Sequence, residues 1–497
     1  MYKKISDYGI IGNLHTVALI AKDGSIDWLC LPYIDSPGVF NALLDARKGG
    51  NFALTPIVPF DSAAEYIEDT NVLITRFRTS SAQAELTDFM PVCTCAPGSD
   101  EKQVQEIYRR LKMLSGKTTF KLLFRPAFDY ARADTEYKIH PHGVQAYSAK
   151  DTLTLVSSLP FRFDEKRGEA EFHLKEGDIL WFRLRYDEKT PERLDEHQAE
   201  EALKETIRYW QGWLNQSETG RRIDPGPYKK MLNRSALVLK LLYYEPTGTI
   251  SAAATTSLPE AVGGERNWDY RYTWVRDASL TLQALFNLGH MSETEGFIRW
   301  IERLLSERDV SEMQIMYGLR GEHEIQEMEL PHLEGYRESR PVRVGNAASS
   351  QRQLDIYGEL MDAVMRLSSY VGKIDSKLWP FLKSICDYVC EHWQEKDYGI
   401  WEVRGGPYHF VHSKVMCWVA LDRGVRIARM YGFRADLKRW QKTMKEIKKE
   451  VFMRGWSEKK KSFIQHYETD ALDSSALLFP FYGFLDFNDP MMLSTVQ

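Results

Sequence analysis

Residues 267–277, NWDYRYTWVRD, carry two Trp, two Tyr, two Arg and two Asp. Aromatic faces beside fixed charges suit a ligand with an apolar face and hydroxylated edges. A sugar ring is such a ligand: its C–H face stacks on indole or phenol, and its hydroxyls bond to Arg and Asp. The same residues could also be a helix start packed with core aromatics and a surface ion pair, because the apolar helical run ASLTLQALFNLGH follows directly. A second stretch, residues 331–363, places Arg340, Arg343, Gly345 and Asn346 in a loop before a helical pattern with Gln351, Gln353, Asp355 and Glu359. Those loop donors could meet hydroxyls, or Asn346 or Ser349 could cap the helix.

A third stretch, residues 396–424, sets Glu402 between Trp401 and Val403 in a Gly-rich loop. A carboxyl flanked by indole and aliphatic groups loses hydration, and its pKa rises toward that of a general acid. Pairing with Arg404 would have the opposite effect.

The elements that must position these residues change character near residue 195. Before it the pattern is β. A hairpin turns at Asp23-Gly24, and strands are expected at 72–78, 105–114, 118–125, 144–148, 152–157, 170–174 and 178–186. That spacing predicts an antiparallel β-sandwich. A helix over 194–216 is polar at first and then aromatic on one face, as expected of a linker that packs on a neighbour. Helical periodicity then recurs at 227–243, 276–289, 293–306, 349–369, 375–394, 410–431, 434–452 and 470–480, with long loops between several of these segments. The domains read from the chain are therefore a β-sandwich over 1–193, a linker helix over 194–225 and a helical catalytic domain over 226–497.

Composition narrows the function. The chain has 497 residues, 43% hydrophobic and 12% aromatic, with thirteen Trp and a net charge of −5. Without a basic block beyond Lys459–Lys461, a nucleic-acid partner is not expected. No run of eighteen apolar residues calls for a membrane span, and the N-terminus lacks a signal-peptide pattern, so a cytoplasmic location is expected. The six Cys are scattered without finger-like His/Cys spacing, as expected of reduced structural thiols with no metal site.

Together, ISDYGIIGNLHTVALIAKDGSIDWLCLP, TDFMP, NWDYRYTWVRD, the run from His332 to Asn346 and GIWEVRG resemble glycoside hydrolase family 15, the bacterial glucoamylase and trehalase-like group. The resemblance covers nearly the whole chain. It implies a β-sandwich, a linker helix and a six-hairpin α/α toroid, and hydrolysis of an α-glucosidic bond with inversion. Residue by residue it implies Glu402 as general acid beside Trp401, with Arg276 and Asp277 gripping the hydroxyls of the glucose at the cleaved end. Trp274 and Tyr270 would flank that sugar, while Arg343, Asn346 and Arg404 would face substrate; Lys414 is a further candidate. The expected partner is a small carbohydrate such as trehalose, maltose or a short maltodextrin; no starch-binding module is evident, and no cofactor is required.

Inversion needs a second carboxylate roughly 6.5–9.5 Å from the acid. The resemblance puts that base late in the toroid, beyond Gln497, and only about eight of twelve helices are read here. The expectation is a truncated toroid with impaired hydrolysis, or helices supplied by a second chain. A phosphorylase, with phosphate replacing activated water, and a non-catalytic glucan-binding remnant are the alternative readings.

Overall fold

The computed structural model describes residues 2–92, 104–188, 190–216, 223–306, 309–371, 374 and 378–497. Cys93 and Cys95 lie outside the described residues. Two compact units result: a sheet unit of Met1–Pro246, Ser251–Tyr272 and Gln326–Asn346, and a helical unit of Thr247–Ile250, Thr273–Ile325 and Ala347–Gln497.

In the sheet unit the main sheet is joined by a 20-residue strand, Glu106–Arg125. Its first half pairs antiparallel with Ile179–Tyr186 on one side and Ala82–Phe89 on the other. Its second half pairs with Asn51–Pro56 and Glu169–Lys175. The sequence pattern reads this strand as two, 105–114 and 118–125. Gly116 marks the change of partners: its φ is +72°, and a Cβ there would lie 2.0 Å from Ser81 O. Only glycine meets both conditions. The inward faces of the strands supply a Phe-rich core, with Phe52 and Phe124 packed edge to face at 5.8 Å.

One buried cation ties this sheet together. Arg109 donates through Nε to Asp88 Oδ1 at 2.7 Å, through Nη1 to Phe52 O at 3.0 Å and through Nη2 to Gly24 O at 2.6 Å. Both charged side chains are inaccessible to water. Burial pushes the Asp88 carboxyl up, against the pull of Arg109. Helix α1 (Glu196–Gln216) buries Ala199, Leu203, Thr206, Trp210 and Trp213, an alternating three- and four-residue spacing that gives one apolar face. It packs on Val72, Phe89, Val156 and Trp181 of the sheet. Helix α2 (Lys229–Leu242) also belongs to this unit; its Arg234 lies 4.0 Å from the Tyr66 ring centroid.

The helical unit contains α3 (Val275–Asn287), α4 (Ser292–Ser306), α5 (Asp355–Val371), α6 (Leu378–His392), α7 (Val411–Tyr431), α8 (Leu437–Arg454) and α9 (Pro490–Val496). α7 is buried almost all round, from Val411 through Val425, which makes it the central helix. Two glycines set its neighbours. A Cβ on Gly358 of α5 would lie 2.3 Å from Met416 O of α7, and one on Gly424 of α7 would lie 2.3 Å from Cys386 Sγ of α6. α5 and α7 therefore touch at backbone distance, and α7 and α6 are separated there by one short side chain.

Three expectations are corrected here. The helix expected from 349 begins at Asp355, because Ala347–Ser350 forms a separate 3-10 turn. The first turn of α5 is instead capped from a distance: Leu354 N–H donates to Asp397 Oδ2 at 2.9 Å. The segment 470–480 forms only a 3-10 turn, Ser474–Leu478, opened by the Asp473 carboxylate on Ser475 N–H and followed by Pro480. α9, with Asp489 as N-cap and Pro490 in its first turn, lies past the last segment read as helical. Among the described residues no helix is long and apolar enough to cross a membrane.

Removing one member of the Arg109–Asp88 pair leaves the other charged and buried. Asp88→Ala is expected to destabilise the sheet unit by about 3–5 kcal/mol. Chemical denaturation followed by tryptophan fluorescence checks this, and a loss below about 1 kcal/mol would contradict the assigned role.

Candidate active site

The helical unit brings the end of the Trp/Arg/Asp motif to the Gly-rich loop. Thr273–Trp274 pairs as a short strand with Met316–Tyr317, and Trp274 is extended (φ −82°, ψ 135°) immediately before α3. Arg276 and Asp277 thereby fall in the first turn of α3, with Val275 N–H anchored on Ile315 O at 3.0 Å. The opposing loop is pinched at its base, where Asp397 and Tyr408 exchange backbone hydrogen bonds of 3.0 and 2.8 Å. Within it, Arg276 Nη1 donates to Ile400 O at 3.0 Å.

Glu402 stands at the centre. Trp274 Nε1 donates to its Oε1 at 2.6 Å, and Arg276 Nη2 approaches the same oxygen at 3.4 Å. Arg276 Nη2 also pairs with Asp277 Oδ2 at 3.0 Å. The Glu402 side chain is 16% exposed, against 41% for Asp277. Burial raises the Glu402 pKa above the ordinary carboxylate value, and Arg276 and the Trp274 hydrogen bond only partly oppose it. Because Oε1 already accepts both N–H groups, a proton on Glu402 sits on Oε2.

The indole that shields Glu402 is thus Trp274, a correction to the sequence reading, which gave that task to Trp401. Glu402 has a φ of +54°, so it does not follow the direction of an extended neighbour. Trp401 is 54% exposed and donates through Nε1 to Asp473 Oδ2 at 2.8 Å. A left-handed conformation at a non-glycine residue costs about 1–2 kcal/mol and persists where surrounding contacts hold it. Here Trp274 and Arg276 hold it. Arg404 lies exposed on the same loop. Lys414 is turned inward, its Nζ donating to Trp393 O at 2.6 Å and to Glu395 O.

Two further acids lie within electrostatic reach of Arg276. Asp355 and Glu359 are one turn apart on α5 and almost fully buried. Burial lifts Asp355 to about 7 and, with Asp355 adding to it, Glu359 to about 8. Tyr482 donates to Glu359 Oε1 at 3.0 Å, while among the described residues neither Asp355 oxygen has a side-chain hydrogen-bond partner. Burial works against the Arg276 charge, but Asp277, Asp355, Glu402 and Glu359 outweigh it and hold the guanidinium firmly protonated. The sequence signal for this pair was the four-residue spacing of two acids on an apolar helix, which by itself also fits a solvated face.

The remaining nominated residues belong to the sheet unit. Asn346 is buried and donates to Asp269 O at 3.1 Å rather than capping α5. Arg343 packs its guanidinium 4.5 Å from the Trp268 ring centroid and donates to Glu265 O at 2.7 Å. Tyr270 is 36% exposed. Asp269 and Arg271, which the sequence reading did not single out, form a buried pair at 2.7 Å, with Arg271 also donating to Ser36 O at 2.8 Å.

With this geometry in place, relatives give it a family. Residues 226–497 match the model for glycosyl hydrolases family 15, and residues 2–210 match the trehalase-like N-terminal model. The chain belongs to glycosyl hydrolase family 15. This family 15 glycoside hydrolase is 37% identical to a protein named trehalase from Mycolicibacterium smegmatis, spanning 100% of this chain and 76% of that one. It is 35% identical to a trehalase from Thermoplasma volcanium, over 100% of this chain and 78% of the other. Among solved structures, a bacterial glucoamylase complexed with acarbose superposes with a TM-score of 0.66 at 13% identity, covering 100% of this chain and 78% of that one. That likeness is one of fold: an antiparallel sheet domain followed by helices of the α/α-toroid type.

The buried acids of α5 give stability a definite pH dependence. A carboxyl whose folded pKa is raised keeps its proton where the unfolded chain has lost it, so its contribution is greatest at low pH and falls as pH rises through that window. The window opens near pH ~4, the ordinary carboxylate range, and closes at about 7 for Asp355 and about 8 for Glu359. The melting temperature of the helical unit should therefore fall across this range. Asp355→Asn with Glu359→Gln should flatten the fall, and an unchanged slope in that double variant would contradict the assignment.

Proposed function

We propose that this chain is a trehalase-type glycosidase that hydrolyses the α-glucosidic bond of trehalose with inversion. Maltose and short maltodextrins are the nearest competing substrates. The observation that carries the reading is Glu402, a largely buried acid gripped on one oxygen by Trp274 and Arg276. Its raised pKa favours the protonated form needed by a leaving-group acid. The trehalase names of the M. smegmatis and T. volcanium proteins favour trehalose over maltose.

In the proposed reaction Glu402 Oε2 gives its proton to the glycosidic oxygen as the C1–O bond breaks. Water attacks C1 from the opposite face and passes its proton to a second carboxylate. None of the acids around Arg276 is assigned that role: Asp277 is paired with Arg276, and Asp355 and Glu359 are buried. Arg276 and Asp277 bind hydroxyls of the glucose at the cleaved end, whose C1 is attacked, Trp274 flanks it, and Trp401 and Arg404 border it from the loop. Asn346 and Arg343 act by holding Asp269 and Trp268, which precede Trp274 in the chain. A cytoplasmic location is part of this reading, since Cys30, Cys386, Cys390 and Cys417 are free thiols.

Glu402→Gln is expected to lower trehalose hydrolysis by at least about 10²-fold, with an unchanged circular dichroism spectrum. Glucose release at the parental rate would remove Glu402 from the reaction. Arg276→Ala is expected to weaken trehalose binding by about 2–5 kcal/mol, since it strands acids that the guanidinium balances; calorimetry checks this. In the parent, proton NMR should show α- and β-glucose released from trehalose in equal amounts before mutarotation; α-glucose alone would contradict inversion. Glucose 1-phosphate formed only when phosphate is present would point to phosphorolysis instead.

A further inference from the structure

We propose that the sheet unit carries a second carbohydrate site, one that binds a neutral mono- or disaccharide through residues of the sheet unit alone. The observation is a cavity of about 670 Å³ lined by aromatic rings and balanced charges. That volume lies within the roughly 300–1,000 Å³ common to small-molecule sites.

The ring surface comes from Tyr33, Tyr186, Tyr244 and His15. Tyr244 meets Tyr33 at 5.8 Å and 84°, and His15 at 5.6 Å and 70°. Edge-to-face packing of this kind forms a corner of rings instead of a closed stack. Burial holds the His15 pKa down, so near neutral pH it presents an uncharged ring. The Tyr186 hydroxyl is fixed on Asp151 Oδ1 at 2.7 Å, which holds its ring in place. Such rings suit the C–H face of a pyranose.

The polar side is built at the end of the strand Ile179–Tyr186. In an extended strand Asp187 and Glu188 would point to opposite faces. Asp187 instead has a φ of +57°, a conformation Asp tolerates, and both residues line the cavity. The charges on the lining are Lys150 and Arg185 against Asp187 and Glu188. Arg185 is already bound by Glu106 at 2.9 Å and Glu188 at 3.3 Å. A site whose arginine is neutralised in this way does not select a phosphate or carboxylate ligand. Glu188 also holds Arg183 at 2.9 Å, so its charge is engaged within the protein as well. Balanced charge, engaged within the protein, and a corner of aromatic rings together describe a neutral polyol site.

The test uses the full chain carrying Glu402→Gln and Arg276→Ala, which removes the sugar grip of the helical unit. Glucose, trehalose and maltose are titrated separately, with binding read by saturation-transfer NMR and calorimetry. At least one sugar should still bind, and adding Tyr33→Ala should weaken it by at least about tenfold. Asp187→Asn, which keeps a residue tolerant of the left-handed backbone, guards against misfolding and should also weaken binding. In the parent chain the same sugar should slow amide exchange at residues 148–152 and 185–188. If none of the three sugars binds the Glu402→Gln/Arg276→Ala protein, or if binding is indifferent to both cavity substitutions, the proposal is overturned. Trehalose hydrolysis by the parent is a separate readout, so failure here is distinguishable from failure of the catalytic reading.

Discussion

The polar interior of the helical unit depends on a charge imbalance around Arg276. One guanidinium faces four acids: Asp277, Glu402, Asp355 and Glu359. They cannot all be ionised in a site largely closed to water, because one positive charge compensates only one negative charge at close range. The two acids on α5 are the most deeply buried, and their raised pKa values show them keeping protons into the neutral range. Glu402, in direct contact with Arg276 and the Trp274 indole, is raised in the same direction. The partly exposed Asp277 pairs with Arg276 Nη2 at 3.0 Å. Burial therefore raises three of the four carboxyls, Asp355, Glu359 and Glu402, and no unusual bonding is required.

The backbone that creates this imbalance is stitched by contacts distant in sequence. α3 starts where it does because Trp274 pairs with Met316. α5 starts where it does because Asp397, at the base of the Glu402 loop, caps Leu354. The same Asp397 exchanges backbone bonds with Tyr408 to close that loop. The acid-bearing loop and the acid-bearing helix thus share one anchor, so the position of Glu402 and the start of α5 are linked.

Much of this was legible from residues alone. Trp274, Arg276 and Glu402, 128 positions apart at the extremes, were nominated from composition and family resemblance and meet at hydrogen-bond distance. Most strands followed from alternation, and most helices from three- and four-residue spacing. What local patterns did not carry was direction and partnership. The positive φ of Glu402 turns it toward Trp274 while Trp401 goes to Asp473, and no neighbour in sequence signals that reversal. The NWDYRYTWVRD motif reads as one cluster, yet its two halves fall in different compact units. Asp269 and Arg271 serve the interior of the sheet unit, and Trp274 through Asp277 serve the site. Side-chain type alone could not divide them, since both halves pair an aromatic-rich segment with an Asp and an Arg.

The glycine contacts among α5, α6 and α7 bear on how such a protein can diversify. With Gly358 set against Met416 O, and Gly424 against Cys386 Sγ, even a methyl group at either position would force the helices apart. Helix spacing behind the acid pair is then nearly fixed, and a drift toward bulkier ligands cannot come from widening it. New selectivity must instead be written in the connecting segments, where insertions are tolerated. Lineages descended from this scaffold should accordingly differ in loop length far more than in the registry of their central helices.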